Sequence, residues 1–159
     1  INDNWDLALA AGWLDTEAFG LQAVCGGAPD ADGLPDGNPD GCEGNKLHWA
    51  PDFMGSMVLK LDFPINKGRI VGNLEAFWES ERGGGYEALP WAELGSFMEF
   101  NARVGYESDG NWSVTGYVEN LTDELNYAGA QVNSGVTPDW LVGPNRPRTF
   151  GVRFGYYFD

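Results

Sequence analysis

Apolar and polar residues alternate with a period of two along much of this chain, most plainly at its end. From Arg148 to Asp159 (RTFGVRFGYYFD), Phe150, Val152, Phe154, Tyr156 and Phe158 hold the even positions, and Thr149, Gly151, Arg153 and Gly155 oppose them. A two-residue period puts the two sets on opposite faces of a β-strand. The apolar face is broad and aromatic at its ends. The other carries an arginine and glycines that could not fill a dry core. Such a strand suits a position between lipid and a polar lumen.

Five earlier stretches repeat the pattern. From Asn4 to Phe19, Trp5, Leu7, Leu9, Ala11 and Trp13 oppose Asp6, Ala8, Ala10 and Gly12. From Lys46 to Phe63, Phe53, Gly55, Met57, Leu59, Leu61 and Phe63 oppose a set that includes Ser56, Lys60 and Asp62. From Arg69 to Glu81, Ile70, Gly72, Leu74, Ala76 and Trp78 oppose Arg69, Asn73, Glu75 and Glu79. From Ser96 to Ser108, Met98, Phe100, Ala102, Val104 and Tyr106 alternate with Glu99, Asn101, Arg103, Gly105 and Glu107. From Trp112 to Leu121, Trp112, Val114 and Val118 oppose Ser113, Thr115, Tyr117 and Glu119. Short turns at 64–68 and 109–111 alternate with long connections at 21–45, 82–95 and 122–147. This predicts an all-β chain of six antiparallel strands in consecutive hairpins, with tight turns at one rim and long loops at the other. That is the layout of a transmembrane β-barrel. With the C-terminus on the short-turn side, the long loops are expected outside the cell and the turns in the periplasm.

Composition narrows the classes. The chain has 23 Gly, 9 Pro, 7 Trp, 6 Tyr and 9 Phe, which favours β-structure. A formal net charge of -15 sets it against nucleic acid as a partner. No apolar run is long enough for a transmembrane helix, which leaves a barrel open. Ile1 opens the chain with neither Met nor a signal-peptide core, so it reads as a mature or truncated piece. Cys25 and Cys42 are its 2 cysteines, set in a Gly/Pro/Asp-rich loop. As a disulfide they imply an oxidising compartment; two free thiols are the alternative.

Glu119-Asn120-Leu121-Thr122-Asp123-Glu124 with Tyr127 resembles the NLTDE..Y segment of TonB-dependent outer-membrane receptors. Gly143-Pro144-Asn145-Arg146-Pro147-Arg148-Thr149-Phe150-Gly151, closing on Tyr157-Phe158, is similar to that family's G.PRT.G....Y.F terminus. The stretch from Leu47 through Ala50-Pro51 to Phe63 resembles the strand entering their late barrel. The resemblance implies that residues 1–159 are the C-terminal portion of one plugged barrel of about 22 strands. It implies partners too: outer-membrane lipid, the remaining strands and plug, TonB acting through the plug, and a scarce nutrient (siderophore, vitamin or oligosaccharide). It also implies that Tyr156 and Phe158 serve as the assembly signal, although Asp159 follows the terminal aromatic here. No stretch resembles the plug or the TonB-contacting segment.

Asp30, Asp32, Asp36, Asn38 and Asp40 offer hard oxygen ligands among glycines and prolines. They form a candidate calcium loop, locally similar to the aspartate-rich loops of thrombospondin type-3 repeats; the plainer reading is a solvated acidic loop. No other cofactor is expected. Trp91, Tyr127 and Trp140 in the long loops are candidates for stacking on a sugar or siderophore, or are simply packed aromatics. The inward charges, among them Lys60, Asp62, Arg69, Arg103, Glu119 and Arg153, read as cross-strand ion pairs and contacts to a plug, with a substrate path as the alternative. His48 is the lone histidine, and no nucleophile elbow, CxxC or phosphate loop occurs, so no enzyme is expected. Two other architectures share this pattern. One is a plugless porin-type barrel. The other is a secreted calcium-binding β-sandwich adhesin, whose apolar faces would be buried between two sheets.

Overall fold

The computed structural model describes residues 4–19, 44–84, 93–134 and 138–158, with the backbone alone described over 128–134 and 138–142. The strands are β1 (Trp5–Trp13), β2 (Phe53–Ile65), β3 (Gly68–Glu79), β4 (Phe97–Ser108), β5 (Trp112–Glu119), β6 (Tyr127–Ser134), β7 (Pro138–Pro144) and β8 (Thr149–Tyr156). Six of them form one sheet in the order β1-β2-β3-β4-β5-β8, and every neighbouring pair is antiparallel. The expected six-stranded sheet is therefore present.

Register makes the alternation of each strand a property of the whole sheet. One row runs Leu7, Leu59, Leu74, Ala102, Val118, Phe150 across all six strands. The adjacent row runs Asp6, Lys60, Asn73, Arg103, Tyr117, Gly151. A one-residue slip in any strand would exchange the two chemistries, so the faces themselves specify the pairing. None of the ladder positions on the apolar face carries Asp, Glu, Lys or Arg.

Aromatics frame that face at two levels. Trp13 pairs with Phe53 at the long-connection end, with Trp78 and Phe100 on the strands beyond. At the short-turn end, Trp5 meets Phe63 edge-on at 5.5 Å, Tyr106 meets Trp112 at 5.2 Å, and Trp112 stacks on Phe154 at 6.3 Å. Along β2, Phe53 and Phe63 lie about 33 Å apart at the usual strand rise, or about 25 Å of height once tilted as barrel strands are, which matches the apolar band of an outer membrane.

Nothing covers this face among the described residues. Among the described residues the buried apolar side chains are only Ala18, Ala76 and Leu94, of which Ala76 alone lies on this face, while Leu9 is 67% and Phe150 79% exposed. A water-soluble domain would gather such residues into one contiguous core. The outer edges of β1 and β8 have no partner strand among the described residues.

Several boundaries differ from the sequence reading, each for a local reason. Pro64 and Ile65 pair with Arg69 and Gly68, so the turn contracts to Asn66-Lys67, with Lys67 at φ 68. Tyr106 Oη donates to the Lys67 carbonyl at 2.7 Å, and the Asp109 N–H to the same oxygen at 3.1 Å, tying the two short turns together. Residues 46–52 are not part of the second strand: Lys46 pairs with Asp52, and Pro51 bridges to Arg82. The larger correction is at 122–147, expected to be a plain loop. It contains the antiparallel β6–β7 hairpin. Val132, Trp140, Leu141 and Val142 are good strand formers, but the stretch lacks the clean two-residue alternation of the other strands.

Candidate functional site: the polar wall and the loop rim

The polar face is electrically uneven. Near the short turns, Arg69 donates to Glu107 at 2.8 Å through Nε, approaches it at 2.6 Å through a terminal nitrogen, and reaches Asp62 at 3.2 Å. This is the expected cross-strand pairing. Higher up, Asn73 donates to Glu75 at 2.6 Å and Asn101 to Glu99 at 3.3 Å. Between β4 and β8 the pattern changes. Arg103 and Arg146 both approach Glu119, at only 4.0 and 3.8 Å. Arg153 has no hydrogen bond or ion pair among the described residues. The three arginines, Glu119 and the hydroxyls of Thr115, Tyr117 and Thr149 line a hollow of about 270 Å³.

At the same end of β5, just past Glu119, two of the motifs that carry the family resemblance meet. Asn120 is buried, with φ 51. Its Nδ2 donates to the carbonyls of Glu124 and Arg146, both at 3.0 Å, and its Oδ1 accepts from the Glu124 N–H at 3.0 Å. Its own N–H donates to Asn101 Oδ1 at 2.9 Å. Asn145 does the same from the other motif: Nδ2 donates to the Glu124 carbonyl at 3.1 Å, and Oδ1 accepts from the Asn126 N–H at 3.0 Å. Asp123 accepts from the Arg148 N–H at 2.8 Å. Loop backbone polar groups that the sheet ladder cannot serve are thus satisfied by side chains, as sequestered peptide groups require.

A second node lies beside it. Arg82, also buried, donates to the Tyr127 carbonyl at 2.7 Å, lies 3.3 Å from Glu79 and sits 5.8 Å over the Phe97 ring. Its backbone pairs both ways with Leu94. Tyr127 is held from both sides, since Asn126 Oδ1 accepts its N–H at 2.7 Å.

Of the residues expected to carry function, Tyr127 therefore stands at the base of β6 as an anchored residue. Trp140 lies on β7 opposite Val132. Tyr156 pairs with Trp112, and its ring meets that of the exposed Phe158 at 4.8 Å. Cys25, Cys42, Trp91 and the candidate calcium residues Asp30, Asp32, Asp36, Asn38 and Asp40 fall outside the described residues. Among the described residues no group of three or more His, Cys, Asp or Glu is placed to hold a metal ion. The clasping roles of Asn120, Asn145 and Arg82 were not read from sequence. The one available signal was the Asn-x-x-Asp of Asn120 and Asp123, a pattern that favours local backbone capping.

No family profile matches the chain, and no curated protein matches it. Solved structures do. The ferric yersiniabactin uptake receptor FyuA from Yersinia pestis superposes with a TM-score of 0.62 at 16% identity, over 74% of this chain and 18% of that one. BauA, the ferric preacinetobactin receptor from Acinetobacter baumannii, gives 0.57 at 16% identity, over 73% of this chain and 16% of its own. The chain thus spans less than a fifth of either receptor. Its sheet shares its fold with a segment of these receptors, and the likeness is one of fold.

Proposed function

We propose that this chain is the C-terminal part of a TonB-dependent outer-membrane transporter, contributing six strands of its wall and three outer loops to the import of a scarce nutrient. The observation that carries the reading is the outward face: uncharged across six strands, framed by aromatics at two levels, and uncovered. In water that face would drive aggregation; in lipid it is at its preferred interface. The open edges of β1 and β8 support a larger barrel, because unpaired backbone groups are costly in hydrocarbon. The β-sandwich alternative needs a second sheet over the apolar face, and that face is exposed.

In this reading the nutrient first meets the outer loops, where Trp91, Tyr127 and Trp140 offer stacking surfaces. A Cys25–Cys42 disulfide closes the loop that carries the candidate calcium ligands. Release inward depends on a plug and on TonB, both inferred from the sequence resemblance. FyuA and BauA are receptors for ferric siderophores, and a ferric siderophore is the leading substrate class of this reading. The first test is the intact mass of the protein extracted from its membrane, together with its migration on a gel before and after boiling. A mass far above 17.3 kDa, a need for detergent and heat-modifiable migration are expected. A species near 17.3 kDa that dissolves without detergent would refute the reading.

A further inference from the structure

We propose that the polar wall between β4 and β8 binds a small anion bearing several carboxylate or phosphate oxygens, gripped by Arg103, Arg146 and Arg153. The proposal rests on reading this face as the lumen wall. In a chain of net charge -15, this hollow gathers three guanidiniums around the single carboxylate of Glu119. The contrast with Arg69 is instructive, since Arg69 is satisfied by Glu107 and Asp62. Arg103 and Arg146 stand 4.0 and 3.8 Å from Glu119, beyond a charge-assisted hydrogen bond, so Glu119 keeps them near without consuming their donors. Arg153 has no partner at all among the described residues. Three cations with open forks along one strip repel one another unless an anion joins them.

The hollow has the chemistry and shape for such a guest. The hydroxyls of Thr115 and Tyr117 add neutral donors on the same surface, while that of Thr149 donates to the Pro147 carbonyl at 3.0 Å. Gly151 lies under Tyr117: a Cβ there would fall 2.6 Å from the Tyr117 hydroxyl and displace it. The volume of about 270 Å³ suits a molecule the size of citrate rather than a folded segment of protein. Arg146, with its side chain 85% exposed, stands at the loop rim, while its carbonyl is held by Asn120. From the row of Thr149 to the row of Arg153 the strip descends about 13 Å along β8. An anion arriving at the rim therefore meets Arg146 first and Arg153 deepest, in a cleft whose walls focus the field.

The test uses the full-length protein purified from its membrane, titrated calorimetrically with citrate and, separately, with inorganic pyrophosphate at matched ionic strength. Binding of one or both is expected, and which of them binds distinguishes carboxylate from phosphate chemistry. Arg103→Gln/Arg153→Gln should weaken that binding by at least about tenfold, with heat-modifiable migration unchanged. Absence of binding by either anion in the wild type, or unchanged affinity in the variant, would overturn the proposal. If neither anion binds and the variant instead loses thermal stability with no anion added, the arginines anchor an acidic protein surface in the lumen, which also overturns it. Loss of heat-modifiable migration in the wild type would count against the barrel reading itself and is scored separately.

Discussion

At the scale of single residues, Asn120 shows how much one side chain can hold. It closes three hydrogen bonds to loop backbone while adopting a φ that Asn tolerates better than most residues. Asn120→Ala leaves two part-buried carbonyls and an amide without their partner, and should cost about 2–4 kcal/mol in urea unfolding of the folded protein in detergent micelles. Asn120→Gly removes the same bonds without the penalty of a Cβ at positive φ, so it should be the milder change by about 1 kcal/mol. Equal effects would mean that the backbone conformation contributes nothing. The motif containing Asn120 was visible in sequence, but its use was not. Asn120 and Asn145 act on the same loop segment across 25 residues of chain, and nothing in residue spacing encodes which carbonyl a side-chain amide will reach. The Gly151–Tyr117 packing was equally hidden, because it depends on register rather than on either strand alone.

Among elements, the six wall strands were legible because each carries two chemically opposite faces that follow the pleat. Leu74 and Val71 make the point testable. Leu74 lies mid-row on the outward face, between Leu59 and Ala102. Val71 lies on the polar wall, opposite Asp62. Leu74→Arg should destabilise the wall by about 2–4 kcal/mol when folding into lipid vesicles is measured, whereas Val71→Arg should cost well under half of that. Similar costs for the two would show that the faces do not differ in environment. The β6–β7 hairpin escaped the same logic. Its strands stand apart from the wall, so selection for pairing could act without selection for two chemically opposite faces. The edges of β2 depart from the sequence pattern for a different reason: Lys46 and Asp52 satisfy one another in a loop, while Pro64 and Ile65 complete the ladder past the point where proline suggests a turn.

On the scale of the whole molecule, the rim of long connections is tied together through Arg82. Arg82 reaches Tyr127 through its side chain, Leu94 and Pro51 through its backbone, and neutralises the largely buried Glu79. Arg82→Ala leaves that carboxylate without its cation, and a loss of about 3 kcal/mol is expected. Limited proteolysis of the protein in membranes should then cut the 127–147 segment faster than in the wild type. Unaltered cleavage would show that the node does not hold the loops together. The same arrangement has an evolutionary reading. Asn126 and Asn145 exchange backbone and side-chain hydrogen bonds at the foot of the hairpin, fixing the separation of its two ends. The wall is thereby insulated from whatever lies between those ends. The tip can lengthen, shorten or be swapped for an unrelated sequence while the strands below keep their register. Under the proposed reading it is the natural place for drift under immune or phage pressure, and the natural place to graft a foreign peptide for display.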